Sequence, residues 1–241
     1  MKKKFEGNCI GIDPSLIIDK NNPKSFDDFF LGLGLIYNDI KGVIFFLISL
    51  ETDYENPKNG DPVSHHLGEY SGIKMQLSKL SVSVISEFLV FLRKNKTVIG
   101  SIKFKLYLKK LDKTLLKQWN EMYLAATLED KNGKKESFYS KIARVRSTVA
   151  FHYSGENLRD GFIDIFFKDK KHLYNREAYY SIGSTMKEIR FHYCDAAVQR
   201  YLEKQLIIGD KDYLKECRFF IDKMNQVIFG LMIIYLQENK K

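Results

Sequence analysis

The sequence predicts an all-α fold, a bundle of long antiparallel helices, and three observations carry that prediction. All four prolines, Pro14, Pro23, Pro57 and Pro62, lie within the first 62 residues, so no later residue has to break a helix. Apolar residues recur at steps of three and four over several long segments. The composition, 44% hydrophobic and 29% charged, is that of a chain able to bury a core. With 241 residues and no internal repeat, low-complexity linker or break in composition, one domain over 1–241 is the simplest organisation, with 1–24 partly extended.

The elements follow in chain order. Ser25 and Asp28, just after Pro23, resemble a capping box, and a very apolar helix is expected from Phe26 to Leu50. Residues 51–64, with Asn56-Pro57, Asn59-Gly60 and Pro62, read as a loop. A second long helix is expected from His66 to Lys94, with Ile73, Leu77, Leu80, Val84, Phe88 and Leu92 on one face. Its Ser78, Ser81, Ser83 and Ser86 point to close helix packing rather than catalysis. Ser101–Leu108 alternates Ile102, Phe104, Leu106 and Leu108 with Lys103, Lys105 and Tyr107, a strand-like period that predicts a short strand or extended link.

A helix fits Lys113–Glu129, with Leu115, Trp119, Met122 and Ala126 inward, and Asp130–Lys135 is a turn. Further helices are expected over Ser137–His152, over Asn157–Phe167, and from a capping box at Thr185 and Glu188 towards Leu206. The last helix, Tyr213–Gln237, has the most regular pattern. Leu214, Cys217, Ile221, Met224, Ile228, Leu231 and Tyr235 form a seam that requires another helix against it, within the chain or across a dimer.

The formal net charge of +9 favours polyanionic partners such as RNA, DNA or an anionic surface. Cys9, Cys194 and Cys217 are odd in number and widely spaced, which fits a reducing compartment rather than a disulfide framework. The basic start Met1-Lys2-Lys3-Lys4 is not followed by the apolar run of a signal peptide. Gly42–Leu50 and Gln226–Leu236 are too short as apolar stretches to cross a bilayer. The expectation is a soluble, cytoplasmic protein with no membrane partner.

One strip carries chemistry. Phe138–Tyr153 reads FYSKIARVRSTVAFHY, with Arg146 followed by the polar Ser147 and, after five intervening residues, His152. A His titrates near pH ~6.5 unless perturbed, which suits general acid–base work. An Arg stays charged and offers a planar fork to phosphate oxygens. On an ideal helix a six-residue spacing leaves the two side chains about 120° apart and about 9 Å along the axis. They meet only if the helix ends or distorts near Phe151, if the Arg reaches back, or if a second subunit completes the site.

This strip resembles the HEPN superfamily (higher eukaryote and prokaryote nucleotide-binding domains), all-helical proteins marked by an Arg, a polar residue and a His four to six residues after the Arg. Ser147 stands where the family most often has Asn, Asp or His. The resemblance covers under a tenth of the chain. It implies metal-independent RNA cleavage at the interface of a homodimer, where two copies of the motif face each other, in a toxin–antitoxin or phage-defence setting with an antitoxin or regulatory protein as a further partner. It assigns Arg146 to the phosphate, His152 to the proton and Ser147 to orienting one of them. No cofactor and no metal are implied. The plainer reading makes His152 a helix-end histidine and Arg146 an ordinary ion-pairing residue, in a non-catalytic helical interaction protein.

Around the strip, Lys134, Lys135, Lys141 and Arg144 with Tyr153 are candidates for RNA contact by charge and stacking, and Tyr139 and Lys131 lie nearby. Lys103, Lys105, Lys109, Lys110, Lys113 and Lys117 form a second basic group. Against both stands the ordinary role of lysines as a solvated face. Arg190-Phe191-His192-Tyr193 echoes Phe151-His152-Tyr153, so Arg190 and His192 are candidates to back the same cleft; a core or interface histidine is the plainer account. His65-His66 with Glu69 lacks the order of a zinc helix and reads as a helix start. Gly32 and Gly34 lie inside an apolar helix with no preceding strand, which excludes a dinucleotide fingerprint.

Overall fold

The computed structural model describes residues 10–18, 21, 24–55, 65–127, 138–147, 155–168, 178–185, 188–206 and 213–239. Among these residues the secondary structure is all-α, as the sequence predicts: nine α-helices and a single isolated antiparallel bridge between Ser181 and Arg190. The helices are α1 (Ser25–Asp53), α2 (His65–Lys94), α3 (Lys96–Gly100), α4 (Ile102–Leu108), α5 (Lys113–Thr127), α6 (Phe138–Val145), α7 (Gly155–Ile163), α8 (His192–Leu206) and α9 (Tyr213–Asn239). A 3₁₀ turn, Pro14–Leu16, precedes them, capped by the Asp13 side chain, which accepts from the Ser15 N–H.

α2 is the hub, packed against α1, α5, α6, α8 and α9, while α1 and α9 also pack on each other. The core is strongly aromatic. The Phe30 ring stacks on Tyr235 at 4.2 Å, Phe29 meets Phe104 edge-on at 5.3 Å, and Phe104 lies 5.2 Å from Trp119. Such ring pairs add about 0.5–1.5 kcal/mol each beyond their buried area. The Tyr235 hydroxyl donates to the Ile17 carbonyl at 2.9 Å and to Asp27 at 3.2 Å, which ties the last helix to the N-terminal segment. Burial, with Asp27 beside it, pushes that phenol well above its ordinary pKa.

The seam of α9 is buried as expected at Cys217, Ile221, Met224, Ile228, Leu231 and Tyr235, and it is filled within the chain by α1, α2 and α5. Trp119, Met122 and Ala126 of α5 are likewise buried. In α2 the one-face expectation fails at Leu80, which is 41% exposed, while Val82, Ile85 and Leu89 are buried. A helix with partners on several sides has no single apolar stripe. Ser78, Ser81 and Ser83 donate to the carbonyls four residues earlier at 2.7–2.9 Å, so these buried hydroxyls are satisfied within their own helix.

Four local expectations are corrected. Residues 101–108 are helical, not extended: the Ser101 Oγ accepts from the Phe104 N–H, and Phe104 and Tyr107 point inward one turn apart. α1 begins at Ser25 with Lys24 at the cap position and no side-chain cap, so the Ser25–Asp28 box does not form. Glu188 does accept from the Ser184 and Thr185 N–H groups, but inside a loop, and α8 starts only at His192. The apolar cores read as too short for a membrane belong to much longer helices. α1, α2 and the 216–239 part of α9 are long and apolar enough to cross a membrane, by length and composition.

α7 and α8 pack closely on each other. Gly161 lets α7 approach so near that a Cβ there would lie 2.1 Å from the Ala197 carbonyl oxygen. Beside this crossing, Asp164 is buried and bonded to both Arg200 and Lys204.

Candidate functional site

α6 owes its orientation to Ile142 and Val145, one turn apart and fully buried, which press it against α2 and α8. This turns Arg144, Arg146 and Ser147 to solvent, while Lys141 is buried. Lys141 is therefore placed differently from an exposed RNA-contacting lysine, whereas Arg144 is on the open face. At Arg146 and Ser147 the backbone widens into a π-type turn. Such turns are uncommon and recur at functional sites. Here the widening falls inside the Arg-to-His interval, where an undistorted helix would hold the two side chains apart.

The Arg146 guanidinium pairs with Glu87 of α2 at 2.5 Å, with the two side chains 44% and 56% exposed. Both groups remain hydrated, so the pair is worth little to stability, about 0–1 kcal/mol. The Ser147 Oγ donates to the Arg144 carbonyl at 2.8 Å, a local bond that holds the turn rather than a partner. His152, Tyr153, Lys134 and Lys135 lie outside the described residues.

Arg190 and His192 pack against α2 at a different place. The Arg190 Nε donates to Asp195 at 2.8 Å and its Nη1 to Glu69 at 3.1 Å. Its guanidinium lies flat on Gly72, where a Cβ would fall 1.9 Å from Nη2. The His192 ring occupies the matching notch at Gly68, one turn earlier, with a Cβ there 2.2 Å from the ring. Glycines four residues apart thus leave two hollows on one face, filled by Arg190, which is bridged to Ser181, and by His192 two residues later.

His65 meets His192 edge-on at 6.0 Å. Among the described residues the buried His192 Nδ1 has no hydrogen-bond partner. Burial holds this imidazole below the usual histidine pKa, Arg190 and His65 push the same way, and Glu69 and Asp195 oppose them. Burial likewise lowers the pKa of Lys79 nearby. Gly72 and Glu87 are fifteen residues apart on one helix, roughly 22 Å at about 1.5 Å per residue. Within one chain, the anchorage of Arg190 and that of Arg146 are therefore well separated.

No family model matches this chain, and neither does any curated protein or solved structure. Its chemistry is read from its own residues.

Glu87, Glu69 and Asp195 were not found from sequence as partners. Glu87 is one of two acids on α2 and lies far from Arg146 in the chain. The one available signal for the second cluster was the Gly68-x-x-x-Gly72 spacing, which marks a close approach. His66 instead bonds the Glu55 carbonyl at 2.7 Å, at the start of α2 as expected. Among the described residues no group of three His, Cys, Asp or Glu side chains is placed to hold a metal ion.

Between α1 and α9 runs an open apolar groove of about 830 Å³, lined by Leu31, Leu35, Phe229 and Ile233 among others. It contains no titratable pair suited to acid–base chemistry, and it is noted as a feature of the surface.

Proposed function

We propose that this chain binds RNA and cleaves it without a metal cofactor, with Arg146 and His152 completing a site across a homodimer. The observation that carries the reading is the Arg146 guanidinium: exposed, on a π-type turn, and paired with the Glu87 carboxylate. A displaceable carboxylate suits a phosphate-binding fork as its resting partner, since carboxylate and phosphate present paired oxygens to the same donors. RNA brings its own nucleophile, the 2′-hydroxyl. Its oxygen attacks phosphorus, the bond to the 5′-oxygen breaks, and a cyclic phosphate forms. One imidazole takes the nucleophile's proton and an imidazolium supplies one to the leaving oxygen. The Arg–Ser–His strip and its likeness to HEPN proteins support this assignment, as does the net charge of +9.

In this reading the protein acts in the cytoplasm as a toxin or phage-defence component, restrained by an antitoxin or regulatory protein. The test uses purified protein and labelled RNA in EDTA. His152→Ala and Arg146→Ala abolish cleavage, and Glu87→Gln tightens RNA binding several-fold by freeing the guanidinium. If His152→Ala cleaves as fast as the parent, the assignment fails.

A second reading, a non-catalytic interaction protein, is favoured by the ion pair itself, because Arg146 already has a carboxylate. It expects no cleavage and no gain in RNA affinity from Glu87→Gln.

A further inference from the structure

α4 has a composition that its packing does not explain. Phe104 and Tyr107 fix it to the core, with Tyr107 against the Phe26 and Phe30 rings at 5.2 and 5.5 Å. The opposite face is open. There Ile102 is 80% and Leu106 52% exposed, one turn apart, with Lys105 and Lys109 exposed beside them.

The other charges near this face are accounted for. Lys110 pairs with Glu238 at 2.8 Å, and Lys103 sits over the Phe26 ring at 4.0 Å. Asp112 caps α5 by accepting from the Thr114 and Leu115 N–H groups. Among the described residues no carboxylate pairs with Lys105 or Lys109. The face therefore shows two bare aliphatic side chains and two uncompensated ammonium groups.

We propose that this face of α4 docks on an anionic lipid surface, with Ile102 and Leu106 dipping into the headgroup boundary and Lys105 and Lys109 meeting the lipid phosphates. Charge complementarity selects the occupant. A helix lying in the interface plane needs an apolar strip flanked by cations. RNA would use the cations but has no use for an exposed isoleucine, and it would seek a stacking ring. The aromatic residues of α4 are both buried. The inference is independent of the Arg146 site.

The full chain is sedimented with phosphatidylcholine vesicles and with vesicles carrying about 30% phosphatidylglycerol, in low and high salt. Uptake is expected on the anionic vesicles, weakened by salt. Lys105→Gln with Lys109→Gln lowers the partition constant about thirtyfold, taking about fivefold per surface cation. Ile102→Ser with Leu106→Ser lowers it at least about tenfold. Leu35→Ser on α1, outside the patch, leaves it unchanged. Because the substituted side chains are exposed, unchanged circular dichroism and melting are expected and certify the fold. Equal uptake by neutral vesicles, parental uptake by both α4 variants, or loss of uptake only with Leu35→Ser would overturn the inference. So would binding of a labelled single-stranded RNA that depends on Ile102 and Leu106 while vesicles are ignored.

Discussion

Two chemically identical substitutions should move stability in opposite directions. Gly161→Ala places a methyl group 2.1 Å from the Ala197 carbonyl oxygen and 3.3 Å from the Tyr201 Cβ. The first of these is backbone in the middle of α8, not the end of a flexible side chain, so relief requires α7 and α8 to part by about 1 Å. A gap of that size forfeits about a quarter to a half of each dispersion contact across the crossing. Overpacking costs about 1–3 kcal/mol, and a rigid neighbour puts this site at the upper end. Better helix propensity returns about 1 kcal/mol, leaving a net loss of about 2 kcal/mol. For a chain of this size that is a fall of about 4–8 °C in Tm.

Gly42→Ala, in the middle of α1, meets nothing within 4 Å. It should gain about 0.5–1 kcal/mol from the same propensity term, or about 2 °C. Both variants are measured by thermal and urea denaturation followed by circular dichroism. If Gly161→Ala melts at or above the parent while Gly42→Ala rises, the close approach of α7 to α8 is wrong.

Two further outcomes follow from buried charge. Lys204 and Arg200 hold the Asp164 carboxyl below the usual carboxylate range, so its contribution is present above pH ~3.9 and is lost as the pH falls through the lowered native value. Asp164→Asn should therefore cost about 1–2 kcal/mol at pH 7, discounted for the exposure of both cations, with the gap closing in acid; a gap independent of pH would count against the pairing. His192 has the opposite polarity: the folded state binds its proton less readily than the unfolded chain, so stability declines as pH falls below ~6.5 and levels off once the native imidazole protonates. His192→Gln should flatten that part of the stability–pH curve, and an unchanged slope would show that the ring is not held neutral.

The legible parts of the fold were those where one side of a helix is covered. α9 and α5 show it: their partners lie on one flank, so spacing in the chain maps onto burial. α2 was read correctly as a helix but not in its facing, because neighbours pack on several of its sides. α4 misled through composition. Its lysines alternate with aliphatic residues as in a half-buried strand, yet the residues that pack are Phe104 and Tyr107, three apart, and Ile102 and Leu106 face outward. At the candidate site the Arg146 strip was visible because its residues are neighbours in sequence. The carboxylate that meets it comes from another helix, and no local pattern encodes such a contact. The Arg190–His192 latch was half visible, as an echo of the strip, but its receiving notches are glycines whose meaning emerges only when another segment fills them.

The hydroxyl of Tyr235 that reaches back to Ile17 has a consequence for biosynthesis. α9, which covers α1 together with α2, leaves the ribosome long after it, since α1 ends at residue 53 and α9 begins at residue 213. At ordinary translation speeds of about 5–20 residues per second, the apolar flank of the first helix waits roughly 10–30 s for its partner. During that interval Phe26, Phe30 and Leu33 are available to chaperones or to neighbouring nascent chains, so yield in the cell should respond to elongation rate more sharply than the finished molecule's stability would indicate.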